Sequence, residues 1–476
     1  MSVDPRAGAS PGGLDEHAAR RRFVAASFLF WLPMGLTMAP MVLLFTERGL
    51  GLTAIAAVLA AHSLTAAALE LPTGGLCDVI GRRSVLACAG VLQTGALLFV
   101  GLGASVWTIG LGMMLMGAGR ALSSGPAEAW YVDTVLAGSG PDADLRTGLA
   151  RGGAAQAAAL ALGTLTGGAL PWLLGLGPDP AARLGAYASG LVLPLSVPVL
   201  LGVLVEIAFV ALVLVALREP PRPPATLAAV LRGVPAAVAA GVRLGTGDVL
   251  IRRVLMTAGA AGTALAAMEL LTPGRAAALT GTAEAGAVLF AGLATAGFAC
   301  SALGSHAAPL VARLAGGGER AVLVSLATSG TGLLLLAGTV FSTGAPALTL
   351  AAVGYGLVYA GLGAAGPSEN DLLHRRVTSA GRATVLSVQS LALQLLAAAG
   401  GLLVGALPAG PLPWLLAAAA MLAGAGLWTR RTTSSTCATP AAPTTPGPAP
   451  HPAAAPVVPP APTRTTADEF PGGPRS

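Results

Sequence analysis

The chain has 476 residues, of which 54% are hydrophobic and only 10% charged. That is too little charge to cover a soluble protein of this length, so the composition excludes a water-soluble globular domain and points to residence in a membrane. The net charge of +6 comes wholly from arginine, since the sequence holds no lysine, and the arginines lie between apolar stretches instead of on one face, which argues against nucleic acid as a partner.

The first apolar stretch starts at Phe23, directly after Arg20, Arg21 and Arg22, and runs on without a small-residue cleavage site. It predicts an anchor, not a removed signal peptide. A spanning helix needs about 20 apolar residues, and that window predicts spans over 23–46, 54–76, 84–104, 106–136, 147–176, 184–217, 254–274, 282–312, 321–342, 346–373, 383–407 and 411–429. The fold expected is therefore an all-α membrane protein of twelve transmembrane helices. Several segments exceed the bilayer thickness and are expected to tilt or project. Their 65 glycines predict helices packed closely through small residues. The cysteines Cys77, Cys88, Cys300 and Cys437 show no metal-ligand spacing and read as small packing residues, so no metal or other cofactor is expected.

Arginines of short loops stay on the cytoplasmic side. One set of connections carries Arg20 to Arg22, Arg82 with Arg83, Arg146 with Arg151, Arg218 to Arg253, Arg313 with Arg320, Arg375, Arg376 and Arg382, and Arg430 with Arg431; the other holds little beyond Arg48, Arg183 and Arg275. The alternation holds at every crossing. It predicts a multi-pass protein of the inner (plasma) membrane with both termini in the cytoplasm. Residues 218–253, opening on Arg218-Glu-Pro-Pro, divide six spans from six, so 23–217 and 254–429 are expected to form two six-helix bundles. Within that linker Leu227, Leu231, Val234, Val238 and Val242 recur at helical spacing, as on a helix lying at the membrane surface. The segments 1–22 and 430–476, the latter rich in Pro, Thr and Ala, have nothing to bury and are expected to be disordered cytoplasmic tails.

The fourth span contains Gly125-Pro126-Ala127-Glu128 with Asp133 five residues on, and the tenth contains Gly366-Pro367-Ser368-Glu369 with His374 five residues on. Matching positions in two six-helix halves are what a parallel internal repeat produces.

Between the second and third spans runs Glu70-Leu-Pro-Thr-Gly-Gly-Leu-Cys-Asp-Val-Ile-Gly-Arg-Arg83. Gly74, Leu76, Asp78, Gly81, Arg82 and Arg83 resemble the cytoplasmic-loop signature of the major facilitator superfamily, with Val79 where that pattern has its first basic residue. The resemblance implies two pseudo-symmetric six-helix bundles and a latch made by the aspartate on the cytoplasmic side. The glycines suit a tight turn, and an acid at a helix end suits a facing cation or helix N-terminus. Arg382, at the start of the eleventh span, is the natural partner, so Asp78 and Arg382 are expected to close an inner gate.

Arg120 falls midway along the fourth span, where a charge costs roughly 2.5–3.5 kcal/mol on insertion scales. Its context, Gly117-Ala-Gly-Arg120-Ala-Leu-Ser-Ser-Gly-Pro-Ala-Glu128, is similar to the fourth-helix arginine motif of the proton-coupled drug efflux members of that superfamily. Ser124 and Glu128 follow at four-residue steps, placing base, hydroxyl and acid along one side of a helix. Glu70 and Glu206 are embedded in apolar sequence. A desolvated carboxylate can bind and release a proton near neutral pH, so each either carries protons or pairs permanently with Arg120. Glu128 and Asp133 are expected to pair with Arg82 or Arg83. Glu269 and Glu284 read as hydrated residues flanking the turn between the seventh and eighth spans, or as guards of the outer mouth. His62 and His374 have no ligand-like company. Gln93, Gln156, Gln389 and Gln394 either line a cavity or bond neighbouring helices.

No G-x-x-x-x-G-K-[ST] loop occurs, so an ion gradient is the expected energy source. The resemblance implies alternating access by a single chain, with protons moving in and a small organic compound or drug moving out; import of a nutrient by proton symport or facilitation is the alternative. A membrane-embedded enzyme would need clustered His, Asp or Ser nucleophiles at one face, and the five histidines are scattered from His17 to His451.

Overall fold

A computed structural model describes residues 15–140, 143–175, 190–219, 248–376 and 379–429, with scattered positions between 226 and 247. The apolar register of Leu227, Leu231, Val234, Val238 and Val242, both tails beyond these limits, Arg183, and the side chains of Asp78 and Arg382 lie outside the described residues.

Every described segment is helical or a short connection. In the first half α1 spans Glu16–Met38, α2 Met41–Glu47, α3 Leu52–Gly74, α4 Leu76–Ile80, α5 Arg82–Leu102, α6 Val106–Ser123, α7 Pro126–Ser139, α8 Arg146–Leu174 and α9 Ser196–Ala216. The second half comprises α10 Val249–Thr280, α11 Ala283–Ala315, α12 Gly318–Gly338, α13 Gly344–His374, α14 Ser379–Ala406 and α15 Leu412–Gly426. Their ends follow local chemistry. The Asp248 carboxylate accepts from the N–H groups of Leu250 and Ile251 at 2.7 and 3.1 Å, capping α10. Ser105 and Thr108 form a reciprocal capping box at the start of α6.

Each of the twelve predicted spans has a helical counterpart, but not all are plain crossings. Nine described helices are long and apolar enough to cross a membrane, and α1 with α2, bent by 43° at Pro40, makes a tenth. The fourth span is two helices, α6 and α7, and the twelfth, α15, has only 15 residues. The seventh begins earlier and ends later than its apolar window, because α10 starts at the Asp248 cap and continues to Gly281, whose φ of 88° stops it.

Packing repeats between the halves. In the first, α1 packs on α8 and α9, α3 on α6, and α5 on α6 and α9; six spans later α10 packs on α14 and α15, α11 on α13, and α12 on α13 and α15. Across the midline α3 meets α14 and α8 meets α11, a pair of contacts that a two-fold axis interchanges. The described helices are thus arranged as two pseudo-symmetric bundles. The same symmetry relates two arginine caps at one end of the molecule. Arg48 donates to the carbonyls of Gly101, at 3.3 Å, and Leu191, while Arg275 donates to those of Ser342, at 2.8 Å, and Thr339. At the other end Arg22 donates to the Ala216 carbonyl at 2.5 Å. Outward faces are apolar: Trp107 is 85% exposed and Leu314 80%, side chains that lipid and not water would cover.

Candidate functional site

Two cavities follow one another along the midline. The proximal one, about 270 Å³, lies nearer the start of α1, and the distal one, about 290 Å³, lies beyond it; Arg120 lines both. The glycines beside Arg120 explain how α6 reaches this position. A β-carbon on Gly117 would sit 2.4 Å from the His62 carbonyl oxygen on α3, and one on Gly119 would sit 3.1 Å from the Ala89 carbonyl oxygen on α5. Glycine lets α6 wedge between these two neighbours, which leaves Arg120 facing the cavities. Its guanidinium makes no ion pair or side-chain hydrogen bond among the described residues.

One turn later the helix breaks. The Ser123 hydroxyl donates to the Arg120 carbonyl at 2.9 Å, Gly125 takes a φ of 93°, and Pro126 opens α7. The expected continuous stripe of Arg120, Ser124 and Glu128 is therefore interrupted, yet all three line the proximal cavity. Phe23, Phe30, Trp31 and Phe209 wall it, and Glu70, Gln156 and Ser390 add polar groups. Ser390 on α14 donates to the Glu70 carboxylate on α3 at 2.9 Å, a hydrogen bond that joins the two halves.

The distal cavity is lined by Met34, Met38, Met41, Met113 and Met116, five of the chain's ten methionines. Aromatic rings face them: Tyr355 and Tyr359 stack at 5.1 Å and 23°, and Phe290 meets Tyr355 edge-on at 6.4 Å. His62, Glu269 and Gln394 are among its polar groups.

Glu269, expected as a hydrated residue flanking the external turn or a guard of the outer mouth, lies farther from that turn than its apolar window implies. Because α10 runs on to Thr280, Glu269 lies three turns before the helix end, where its exposed side chain lines the distal cavity. His62, which has no company in sequence, shares this cavity with Arg120 and Glu269, and its Nδ1 is buried without a hydrogen-bond partner among the described residues. The methionine lining had a legible signal: positions 34, 38 and 41, and 113 and 116, are spaced to share a helix face. Glu269 had none, since its location depends on where α10 ends.

Other candidates are dispersed. Glu206 is 0% exposed, borders neither cavity, and has both carboxylate oxygens unpaired among the described residues. Nor does it or Glu70 form an ion pair with Arg120. Gln156 and Gln394 line cavities, Gln93 is buried against Gly119, and Gln389 borders neither cavity. Arg82 pairs with Asp133 at 2.5 Å, while Glu128 turns to the proximal cavity. Arg83 instead binds the end of α9, its backbone N–H donating to Glu219 at 2.9 Å and its side chain to the Leu214 carbonyl. In the second half Thr257 donates to the buried Glu369 at 3.0 Å, and Arg253 lies 3.7 Å from Glu319 and 5.9 Å from the Trp428 ring centre.

Two bundles related by a pseudo-two-fold axis, an apolar exterior and polar cavities along the midline define a multi-pass α-helical membrane protein of the major facilitator fold. Solved structures of that fold are similar to it along nearly their whole length. The nucleoside transporter NupG superposes with a TM-score of 0.66 at 10% identity, covering 87% of this chain and 100% of its own. A bacterial homolog of the human lysosomal transporter Spinster gives 0.64 at 14% identity, covering 87% and 94%. A D-xylose-proton symporter gives 0.64 at 15% identity, covering 87% and 97%. At these identities the likeness is one of fold. The sequence matches no family model and no curated protein sequence.

Proposed function

We propose that the chain is a secondary transporter working by alternating access, in which the two bundles rock about the midline and expose a cargo site to one side of the membrane and then the other. The observation that carries this reading is Arg120, an unpaired cation deep in an apolar bundle and common to two successive cavities. An intramembrane charge retained at such cost, facing space instead of a partner, is explained by a ligand that visits it.

Protons supply the energy in this reading, and Glu70 is the carrier. As a carboxylate it accepts the Ser390 hydrogen bond that joins the halves; a proton would turn an acceptor into a donor and alter that contact. Glu206, remote from both cavities, is assigned no coupling role. The arginine-rich proximal end faces the cytoplasm, and Asp78 with Arg382 latches it. A single chain suffices, a small organic compound is the cargo, and export is the direction proposed. A second reading, proton symport of a nutrient, is favoured by the opposite charges of Arg120 and Glu269 in the distal cavity, which suit a polar cargo better than an apolar drug. Neither reading gives the chain catalytic chemistry.

The test is transport in proteoliposomes under an imposed pH gradient, screened over cationic, neutral, anionic and zwitterionic compounds. Arg120→Ala should lower gradient-driven transport at least about tenfold, the loss of roughly 1.4 kcal/mol of cargo binding. Glu70→Gln should abolish dependence on the gradient while counterflow exchange persists. Full gradient-driven transport by both variants would overturn the coupling assignment and leave the fold standing.

A further inference from the structure

Arg120 and Glu269 both line the distal cavity, on α6 of the first half and α10 of the second, but form no ion pair with each other. Opposite charges held apart across a cavity attract one another in surroundings of low dielectric, yet without direct contact each keeps hydrogen-bonding capacity that a guest can take up. A purely cationic guest would meet Arg120, and a purely anionic one would meet Glu269. An uncharged apolar guest would displace water from both and give nothing in return. A guest bearing one charge of each sign satisfies both groups and leaves the cavity's net charge unchanged, which matters for a site that must move through a membrane.

The remaining walls agree. Tyr359, backed by the stacked and buried Tyr355, presents its ring in the same cavity as Glu269, and aromatic faces attract ammonium groups. Opposite them, methionines form a pliant, polarisable surface that fits apolar side chains of differing shape. The volume of about 290 Å³ lies just below the ~300–1,000 Å³ typical of ligand clefts, which favours one small molecule over a chain of several units.

From this geometry we infer that the distal cavity binds a compact zwitterion of the α-amino-acid type: its carboxylate on Arg120, its ammonium between Glu269 and Tyr359, its apolar side chain against the methionines. The inference rests on the transporter reading for its purpose, though not for its geometry.

Binding to the purified full-length chain by calorimetry tests it, with phenylalanine, leucine and methionine as probes. Phenylethylamine and 3-phenylpropionate, which are phenylalanine without its carboxylate and without its ammonium, are the controls. Phenylalanine should bind at least about tenfold tighter than either control, a difference of roughly 1.4 kcal/mol. Arg120→Gln should erase the gap between phenylalanine and phenylethylamine, and Glu269→Gln the gap between phenylalanine and phenylpropionate. Should Arg120→Gln fail to fold, the Glu269→Gln comparison decides alone. A control that binds wild type as tightly as phenylalanine overturns the inference, as does failure of all three zwitterions to bind. Zwitterion binding without transport in proteoliposomes would sink the transporter reading and keep the site. Gradient-driven movement of cationic drugs without zwitterion binding would do the reverse.

Discussion

Arg120 and Glu206 are both charged-type residues within spans, and their surroundings differ in kind. Arg120 faces cavities that admit water or a ligand, whereas Glu206 is 0% exposed with neither carboxylate oxygen hydrogen-bonded among the described residues. A buried polar group left unsatisfied costs about 1–3 kcal/mol, so an apolar side chain of similar length should be tolerated better. Glu206→Met is expected to raise the melting temperature in detergent, by the equivalent of about 1 kcal/mol or more, and to leave gradient-driven transport intact. Loss of transport in a folded Glu206→Met protein would return Glu206 to the coupling machinery. In sequence the two residues look alike, each a charge among apolar neighbours. Which one meets open space depends on the rotation of its helix against others, information that one segment does not contain. The same limit hid His62 and Glu269, whose company comes from α6 and α13.

At the scale of elements, one tetrapeptide pattern has two outcomes. Gly125-Pro126 breaks the fourth span, with Gly125 at a φ of 93°, while Gly366-Pro367 lies inside the unbroken α13. After the break Glu128 turns to the proximal cavity, whereas Glu369 stays buried and holds the Thr257 hydroxyl of α10. The substitution Gly125→Ala places a β-carbon on a left-handed residue and should destabilise by about 1–2 kcal/mol. Gly366→Ala fills open space within a regular helix and should stabilise by roughly 0.5–1 kcal/mol. Melting temperatures of the two variants in detergent should shift in opposite directions; a shift of the same sign would mean that the break at Gly125 is not required by the native fold. The repeat was legible, because the pattern recurs at matching places in the two halves. Its divergence was not, because both sequences allow either path and packing selects between them.

For the whole molecule, the contacts between halves at the distal end are made through small residues. A β-carbon on Gly405 of α14 would lie 2.4 Å from that of Ala56 on α3, and one on Gly168 of α8 would lie 2.5 Å from that of Ala291 on α11. Thr53 adds a hydrogen bond to the Gly405 carbonyl at 2.8 Å. These symmetry-related contacts pack the two halves together at the distal end, so a bulky residue at either should shift the population toward a state open there. With a reporter cysteine introduced by Ala60→Cys in the distal cavity, Gly168→Leu or Gly405→Leu should speed labelling by a membrane-impermeant maleimide several-fold. Unchanged labelling would show that these contacts do not govern access.

Composition alone determined that the chain lies in a membrane as helices, because 10% charge cannot clothe a soluble protein of 476 residues. Apolar windows located the helical segments, nine or ten of which among the described residues are long and apolar enough to span, since the bilayer dictates their length, and the Gly-Pro-x-Glu echo and loop signature pointed to two repeated bundles. Tertiary structure decided the rest: that Arg120 borders two cavities, that Glu269 and His62 join it, that Glu206 does not, and that Glu70 bridges the halves through Ser390. The division has one physical cause. The cost of placing a segment in lipid is a property of that segment, whereas a cavity belongs to several helices at once, and its chemistry is set by how they rotate and approach.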